Sequence, residues 1–305
     1  MTIRQAILAL ASAIVVGIMA LPPTLAQEDD FSGVEIKTIR IDDGLHMMTG
    51  SGGNLAVSVG GDGAFLVDDQ FAPLTEKIQA AISKITDKPV RFVINTHWHH
   101  DHVGGNENFG KAGSLIVAHE NVRKRMSVEQ FLEAFDNRVP ASPAGALPVI
   151  TFTDSVTFHW NDEEIHIFHV ENAHTDGDAV VHFKNSNALH TGDLYFNGFY
   201  PFIDVSSNGS IEGVIRGADK ILKMIDDSTK IVPGHGPLSN KKELKAYRDM
   251  LADVRDAVSS LVAAGKTKEE VLAAKPTQPW DAKWGGGFLN PDEFTDIIYT
   301  DLSGK

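Results

Sequence analysis

The sequence predicts an α/β protein built as a four-layer αββα sandwich, two sheets face to face with helices on their outer sides. Three observations carry this. Short β-rich runs alternate with segments of helical spacing, the alternation occurs in two successive halves, and a long amphipathic helix occupies the C-terminal third.

The first 26 residues stand apart. Arg4 is their only charged side chain, an apolar stretch covers residues 6–21, and Pro22 and Pro23 break it before Ala26 and the acidic lead Gln27-Glu28-Asp29-Asp30. This is the layout of a secretory signal peptide, which predicts a bacterial protein that is periplasmic or secreted. An uncleaved anchor is the competing reading, but the run falls short of the ~18 apolar residues a spanning helix needs. No stable membrane anchoring is therefore expected after cleavage, and residues 27–305 are expected to form the folded domain.

The elements follow in order. Beyond a polar lead-in at 28–33, β-rich runs cover residues 34–41, 45–49, 55–59 and 64–67, punctuated by Gly and Asp. Residues 73–85 read as a helix, with Ile78, Ala81, Ile82 and Ile85 at helical spacing, and an apolar strand follows at 90–94. A second instalment begins with a strand at 115–117, helices over 120–135, and a Pro- and Ala-rich loop at 139–148 read as surface or site rim. Strands resume at 150–152, 156–160, 165–170, 179–183 and 188–191, the last running into Gly192-Asp193. A helix at 211–225 and a strand at 231–232 complete another crossover.

Residues 240–305 read as a helical part of the same domain. Leu244, Tyr247, Leu251, Val254, Val258 and Leu261 make one apolar stripe along a helix over 241–264, with Asn240 and Glu243 as a capping pair and Gly265 as the stop. A stripe of this kind faces a core rather than a partner.

The composition excludes several classes. With 27 basic and 41 acidic side chains the net charge is −14, and no long basic block exists, so nucleic acid is excluded as a partner. The chain has no cysteine, so it can form no disulfide and carry no lipid on a cysteine, and any metal site must use His and carboxylates.

The run Thr96-His97-Trp98-His99-His100-Asp101-His102-Val103-Gly104-Gly105 places four metal donors, His97, His99, Asp101 and His102, directly after an apolar strand. A strand end gives a loop a rigid base while leaving it free of ladder hydrogen bonds. In an extended segment residues two apart share a side, so His97 and His99 converge, with Asp101 next along. His102 is offset and faces a neighbouring ion. A merely His-rich surface loop is the bland alternative, but four donors in six residues behind a buried strand are costly to desolvate without a metal. His100 is out of phase and is read as facing solvent or backing the motif.

The pattern His97-x-His99-x-Asp101-His102 resembles the signature of the metallo-β-lactamase superfamily. Three more matches follow in order: His174 in Asn172-Ala-His-Thr-Asp-Gly-Asp178, Asp193 in His190-Thr-Gly-Asp193, and His235 in Pro233-Gly-His-Gly-Pro237. Taken singly each has an ordinary reading as a loop or turn residue; their order and contexts raise them. The resemblance implies a metal site at one edge between the two sheets. His97, His99 and His174 would hold a first metal, Asp101, His102 and His235 a second, and Asp193 would bridge. It implies two Zn²⁺ as cofactors, with Fe or Mn as substitutes, and a metal-bridging hydroxide that opens a cyclic amide or ester of a small-molecule substrate, β-lactams included. Asp101 would act as the catalytic residue that orients the attacking hydroxide. His190 is read as a buttress and the remaining histidines as structural.

The fold hosts many reactions, so the motif fixes a reaction class. With no cysteine and with His102 and Asp193 together, the site resembles lactonases and thioesterases of this fold. An iron-dependent oxidoreductase is the reading from another class, its mononuclear dioxygenase type disfavoured by the full set of seven donors. Substrate contacts are expected from residues 48–54, 139–148 and 196–207. Tyr195, Phe196, Phe199, Tyr200 and Phe202 either pack in the core or line the site, and Trp280, Trp284 and Phe288 around Gly285-Gly286-Gly287 form a candidate cap. Neither oligomeric state nor physiological substrate is encoded in these motifs.

Overall fold

A computed structural model describes residues 30–304. The expected signal peptide lies outside them, and the residues from Phe31 onward make one compact unit.

The first sheet begins with β1 (Lys37–Arg40), β2 (Leu45–Thr49), β3 (Leu55–Ser58) and β4 (Ala64–Val67), joined antiparallel. Helix α1 (Thr75–Ile82) crosses over to β5 (Val90–Asn95). The short helices α2 (His100–Val103) and α3 (Asn106–Lys111) lead to β6 (Leu115–His119), and α4 (Glu120–Met126) follows. A hairpin of β7 (Gln130–Leu132) and β8 (Asn137–Val139) precedes β9 (Ile150–Phe152), which closes the seven-stranded sheet beside β6. The second sheet orders β10 (Ser155–Trp160), β11 (Glu163–His169), β12 (Ala179–Phe183), β13 (Ala188–His190), β14 (Lys230–Val232) and β15 (Ser239–Asn240). Helices α5 (Ile211–Met224), α6 (Lys241–Ala263), α7 (Lys268–Ala274), α8 (Asp281–Trp284) and α9 (Pro291–Ser303) supply its outer layer.

Side-chain alternation along the strands makes the four layers. On β4, Phe65 and Val67 join Ile165, Ile167 and Val181 between the sheets, while Ala64 and Leu66 join Ile78 and Ile82 of α1 on the outer side. On β13, Ala188 faces inward and Leu189 packs with Val214, Leu244 and Tyr247 beneath α5 and α6. The αββα sandwich is as expected.

One segment differs. Of the helices expected over 120–135, α4 ends at Met126 and a hairpin takes the place of the rest, joined by a single helical turn at Glu133–Phe135 with Asp136 left-handed at φ 47°. Side chains end the helix by taking its last carbonyls: Ser127 Oγ donates to Arg123 O (2.6 Å) and Gln130 Nε2 to Arg125 O (3.0 Å). The helix over 73–85 is also shorter, a 3₁₀ turn at Ala72–Leu74 preceding α1. Helix α6 agrees with expectation, the Asn240 side chain accepting from Glu243 N.

Candidate metal centre

The seven sequence-predicted residues come from four strand-end segments, after β5, β11, β13 and β14, and meet in two groups. His97, His99, His174 and Asp193 form one and Asp101, His102 and His235 the other, each with donor atoms within 4.8 Å of one another and each able to hold a metal ion. Asp193 reaches into both. Its Oδ2 lies 3.7 Å from His97 Nε2, 3.5 Å from His174 Nε2 and 3.4 Å from His235 Nε2, and its Oδ1 lies 3.1 Å from His102 Nε2. Extended spacing alone places Asp101 beside His97 and His99. Instead the chain turns helical at His100, which carries Asp101 over to His102 and His235.

Hydrogen bonds outside the cluster fix which nitrogen of each ring carries the proton. Thr96 Oγ1 donates to Asp68 Oδ2 (2.8 Å) and so accepts from His97 Nδ1 (3.1 Å). His99 Nε2 donates to Asp204 Oδ2 (3.0 Å), His174 Nδ1 to Phe202 O (2.8 Å), and His102 Nδ1 to Asp68 Oδ2 (2.7 Å). Three bare nitrogen lone pairs, on His97 Nε2, His99 Nδ1 and His174 Nε2, therefore meet in one buried group, while His102 Nε2 faces Asp193 Oδ1. His99 Nδ1 and His174 Nε2 face each other at 2.8 Å, and His97 Nε2 is buried with no hydrogen-bond partner. Two lone pairs at that distance repel unless a proton or a metal cation lies between them. The donor set thus fits a cation on the structure's own terms.

The charges differ across the cluster. Burial, followed by the neighbouring His102, pushes His97 well below the ordinary histidine range, and burial pushes His174 down to about 4. Burial acts the same way on His102 and His235 but is outweighed. Asp193, Asp101 and Asp68 raise His102 well above the ordinary value, and Asp193 and Asp101 raise His235 to about 9. Asp101 is only partly buried, and against that desolvation His102 and His235 hold its carboxyl far below the usual range.

Sequence reading missed the residues that hold the donors. Asp68, in a left-handed conformation at φ 59°, takes Thr96 N (2.8 Å) as well as Thr96 Oγ1 and His102. Asp204 holds His99 and also accepts from Ser207 N (3.1 Å), while its own N–H donates to His174 O (2.9 Å). Asp178 accepts from His174 N (2.6 Å) and from Thr175, fixing the loop that carries His174; burial raises its carboxyl to about 7. An acid just past an apolar strand, as Asp68 is past β4, was the available signal. Two glycines are steric requirements: a Cβ on Gly53 would collide with the His102 ring, and one on Gly234 with the Asp193 carboxylate.

His190 buttresses the cluster, donating from Nε2 to Asn54 O (2.9 Å) and accepting from Gly192 N (3.1 Å). His100 is exposed against Phe71. Trp98 is buried under the loop, donating to Ser207 Oγ (3.2 Å), and residues 139–148 pack against it through Ala146 and Leu147. The aromatic segment does both things expected of it. Tyr195 and Tyr200 are core, whereas Phe196 stacks on His235 and Phe202 on His99.

An αββα sandwich with this donor cluster at its strand ends defines a class of metal-binding proteins. A family model described as the metallo-beta-lactamase superfamily matches residues 49–253, more than half of the chain, and the chain belongs to that superfamily. It is 24% identical to the hydroxyacylglutathione hydrolase of Pelagibacter ubique (strain HTCC1062) over 50% of this chain and 56% of that protein. It is 25% identical to the hydroxyacylglutathione hydrolase of Polaromonas sp. (strain JS666 / ATCC BAA-500) over 58% and 60%. The chain thus spans a little over half the length of these relatives. Among solved structures, a metallo-beta-lactamase from Pontibacter korlensis superposes with TM-score 0.58 at 19% identity, covering 72% of this chain and 100% of that one. DIM-1 metallo-beta-lactamase gives 0.57 at 19%, covering 72% and 98%, and these likenesses concern the fold.

Proposed function

We propose that the chain is an exported dinuclear zinc hydrolase that cleaves the acyl bond of a small-molecule ester, thioester, lactone or lactam. The observation that carries this is the convergence of three histidine lone pairs, each tautomer fixed from outside, on Asp193, with Asp101, His102 and His235 grouped on its other side. Nitrogen and carboxylate donors without sulfur suit zinc, and iron or manganese as substitutes. His97, His99 and His174 would hold one ion, Asp101, His102 and His235 the other, with Asp193 shared. When bound, the ions polarise a carbonyl and lower the pKa of water to ~7.

The chain's own groups do the rest. Asp101, one quarter exposed and held ionised by His102 and His235, accepts a hydrogen from the incoming water and turns its oxygen toward the carbonyl. His235, also at the open edge, marks the side from which substrate enters. The shared Asp193 keeps the two histidine sets in register.

Two relatives named hydroxyacylglutathione hydrolase support ester and thioester bonds over amides, and β-lactam turnover is a secondary activity of the same centre. Purified protein should carry about two zinc ions per chain and hydrolyse members of a panel containing a hydroxyacylglutathione thioester, an aryl ester, a lactone and a chromogenic β-lactam. Full metal occupancy without any turnover would sink the proposal, and bound iron with oxygen uptake would replace it with an oxidoreductase. Export rests on residues 1–26; a mature N-terminus at Gln27 in periplasmic or secreted protein is the expected result, and retention of Met1 would refute it.

A further inference from the structure

Three aromatic rings run outward from the donor cluster. Phe202 stacks on His99 with ring centroids 5.7 Å apart at 29° and meets His174 edge-on at 5.7 Å. Phe135 lies 4.8 Å from Phe202, and Phe288 lies 5.6 Å from Phe135. Exposure rises along the row, from 7% at Phe202 to 41% at Phe135 and 67% at Phe288. Scattered exposed apolar residues are ordinary, but rings in mutual contact at the mouth of a buried polar centre mark a binding surface.

The row is assembled from three distant segments, each anchored. Phe135 is presented by the turn between β7 and β8, and Phe202 donates no side-chain bond but fixes His174 through its carbonyl. Phe288 follows Gly287, which lies so close to Phe199 that a Cβ there would collide with it, and the preceding Trp284 is buried in the core. A cavity of about 390 Å³ borders the row, lined by Phe135, Ile203, Leu289 and Ile297 together with Asp204, the partner of His99. Glu293 and Asp296 also line it, and its one lysine, Lys268, is paired with Asp296 at 2.7 Å, so an anionic arm is unwelcome there.

We infer that Phe202, Phe135 and Phe288 form an acyl-group wall, which selects substrates whose acyl part ends in an uncharged apolar ring. The inference rests on the hydrolase reading for the bond that is cut, but its test does not. Calorimetric titration of the metal-loaded full-length protein with acetate, phenylacetate and 4-phenylbutyrate compares carboxylates that differ only in the arm. The aryl acids are expected to bind about tenfold more tightly than acetate, as befits one well-packed aromatic contact. In Phe135→Ala and Phe288→Ala, both truncations at exposed rings, that preference should fall to roughly twofold, and Phe288→Trp should restore it. Equal binding of all three acids by the unaltered protein, or a preference that survives both truncations, overturns the wall. An aryl preference in a protein that hydrolyses nothing on the panel sustains the wall and removes the hydrolase.

Discussion

His97, His99 and His174 are almost wholly buried, and the outer nitrogen of each ring is tied to a different fixed partner, Thr96, Asp204 and the Phe202 carbonyl. Across Asp193 the arrangement changes. His102 is equally buried and tied to Asp68, but Asp101 and His235 leave 25% and 21% of their side chains exposed, and His235 is steadied by the stacked ring of Phe196. One half is sealed, its rings fixed in place, with His97 and His174 held toward the neutral form. The other is open, richer in carboxylate pull, and raised toward the protonated state. On the proposed dinuclear reading, the difference separates two tasks: holding an ion against exchange, and leaving an edge where substrate and water enter.

The largest effects come from removing a donor on either side. His174→Ala empties the sealed group and Asp101→Ala the open one, and each should lower kcat/KM by on the order of 10³ or more while the chain stays folded, as judged by circular dichroism. Metal analysis then distinguishes the halves, since each variant should lose its own ion first. Full turnover by either variant would show the donor assignment to be wrong. A smaller effect is expected one bond further out. Asp204→Asn keeps the size of the His99 partner but weakens its hold on the ring, and should cost about 10–100-fold in metal affinity, read by competition with a chromogenic chelator. Finally, brief chelation of the unaltered protein should remove about half of the metal in a fast phase from the open group and the rest slowly. Asp204→Asn should bring the two phases together; a single phase in the unaltered protein would contradict the contrast between the halves.

How much of this was legible in the sequence follows from range. The strands over 45–49, 64–67, 150–152 and 179–183 are written in local apolar patterns bounded by Gly and Asp, and their observed bounds agree with those patterns. The donors are legible because five of the seven lie beside short, chemically unusual words such as His97-x-His99 and Gly234-His235-Gly236. The hairpin at Gln130–Val139 is not, because Ser127 and Gln130 stop a helix through side-chain bonds that a periodicity count ignores. Helices α7 and α9 carried capping boxes, Thr267 with Glu270 and Asn290 with Glu293, which mark their starts in plain residues. Asp68 and Asp204 are hardest to read: each lies tens of residues from the ring it holds, and becomes a ligand holder only when the strand ends are brought together.

The smallest expected effect lies outside both halves and separates the cluster from ordinary buried histidines. His119 stacks on His169 at 3.8 Å and 7°, and its Nδ1 accepts from Asn121 N (3.3 Å) to cap α4. Burial first, then the neighbouring His169, pushes its pKa down to about 4. The ordinary value is 6.5, so between those values the unfolded chain binds a proton that the folded chain refuses. This contribution to stability is present above about pH 6.5 and is lost as pH falls toward about 4. His119→Asn keeps a side-chain acceptor at the cap and removes the titration. The denaturation midpoint of the variant should therefore fall less between pH 7 and pH 5 than that of the unaltered protein, measured in metal-free samples of both to keep cluster protonation common to the two. An unchanged pH slope would mean that the stacked pair is neutral at no cost, and that the acid sensitivity of the fold resides in the metal cluster alone.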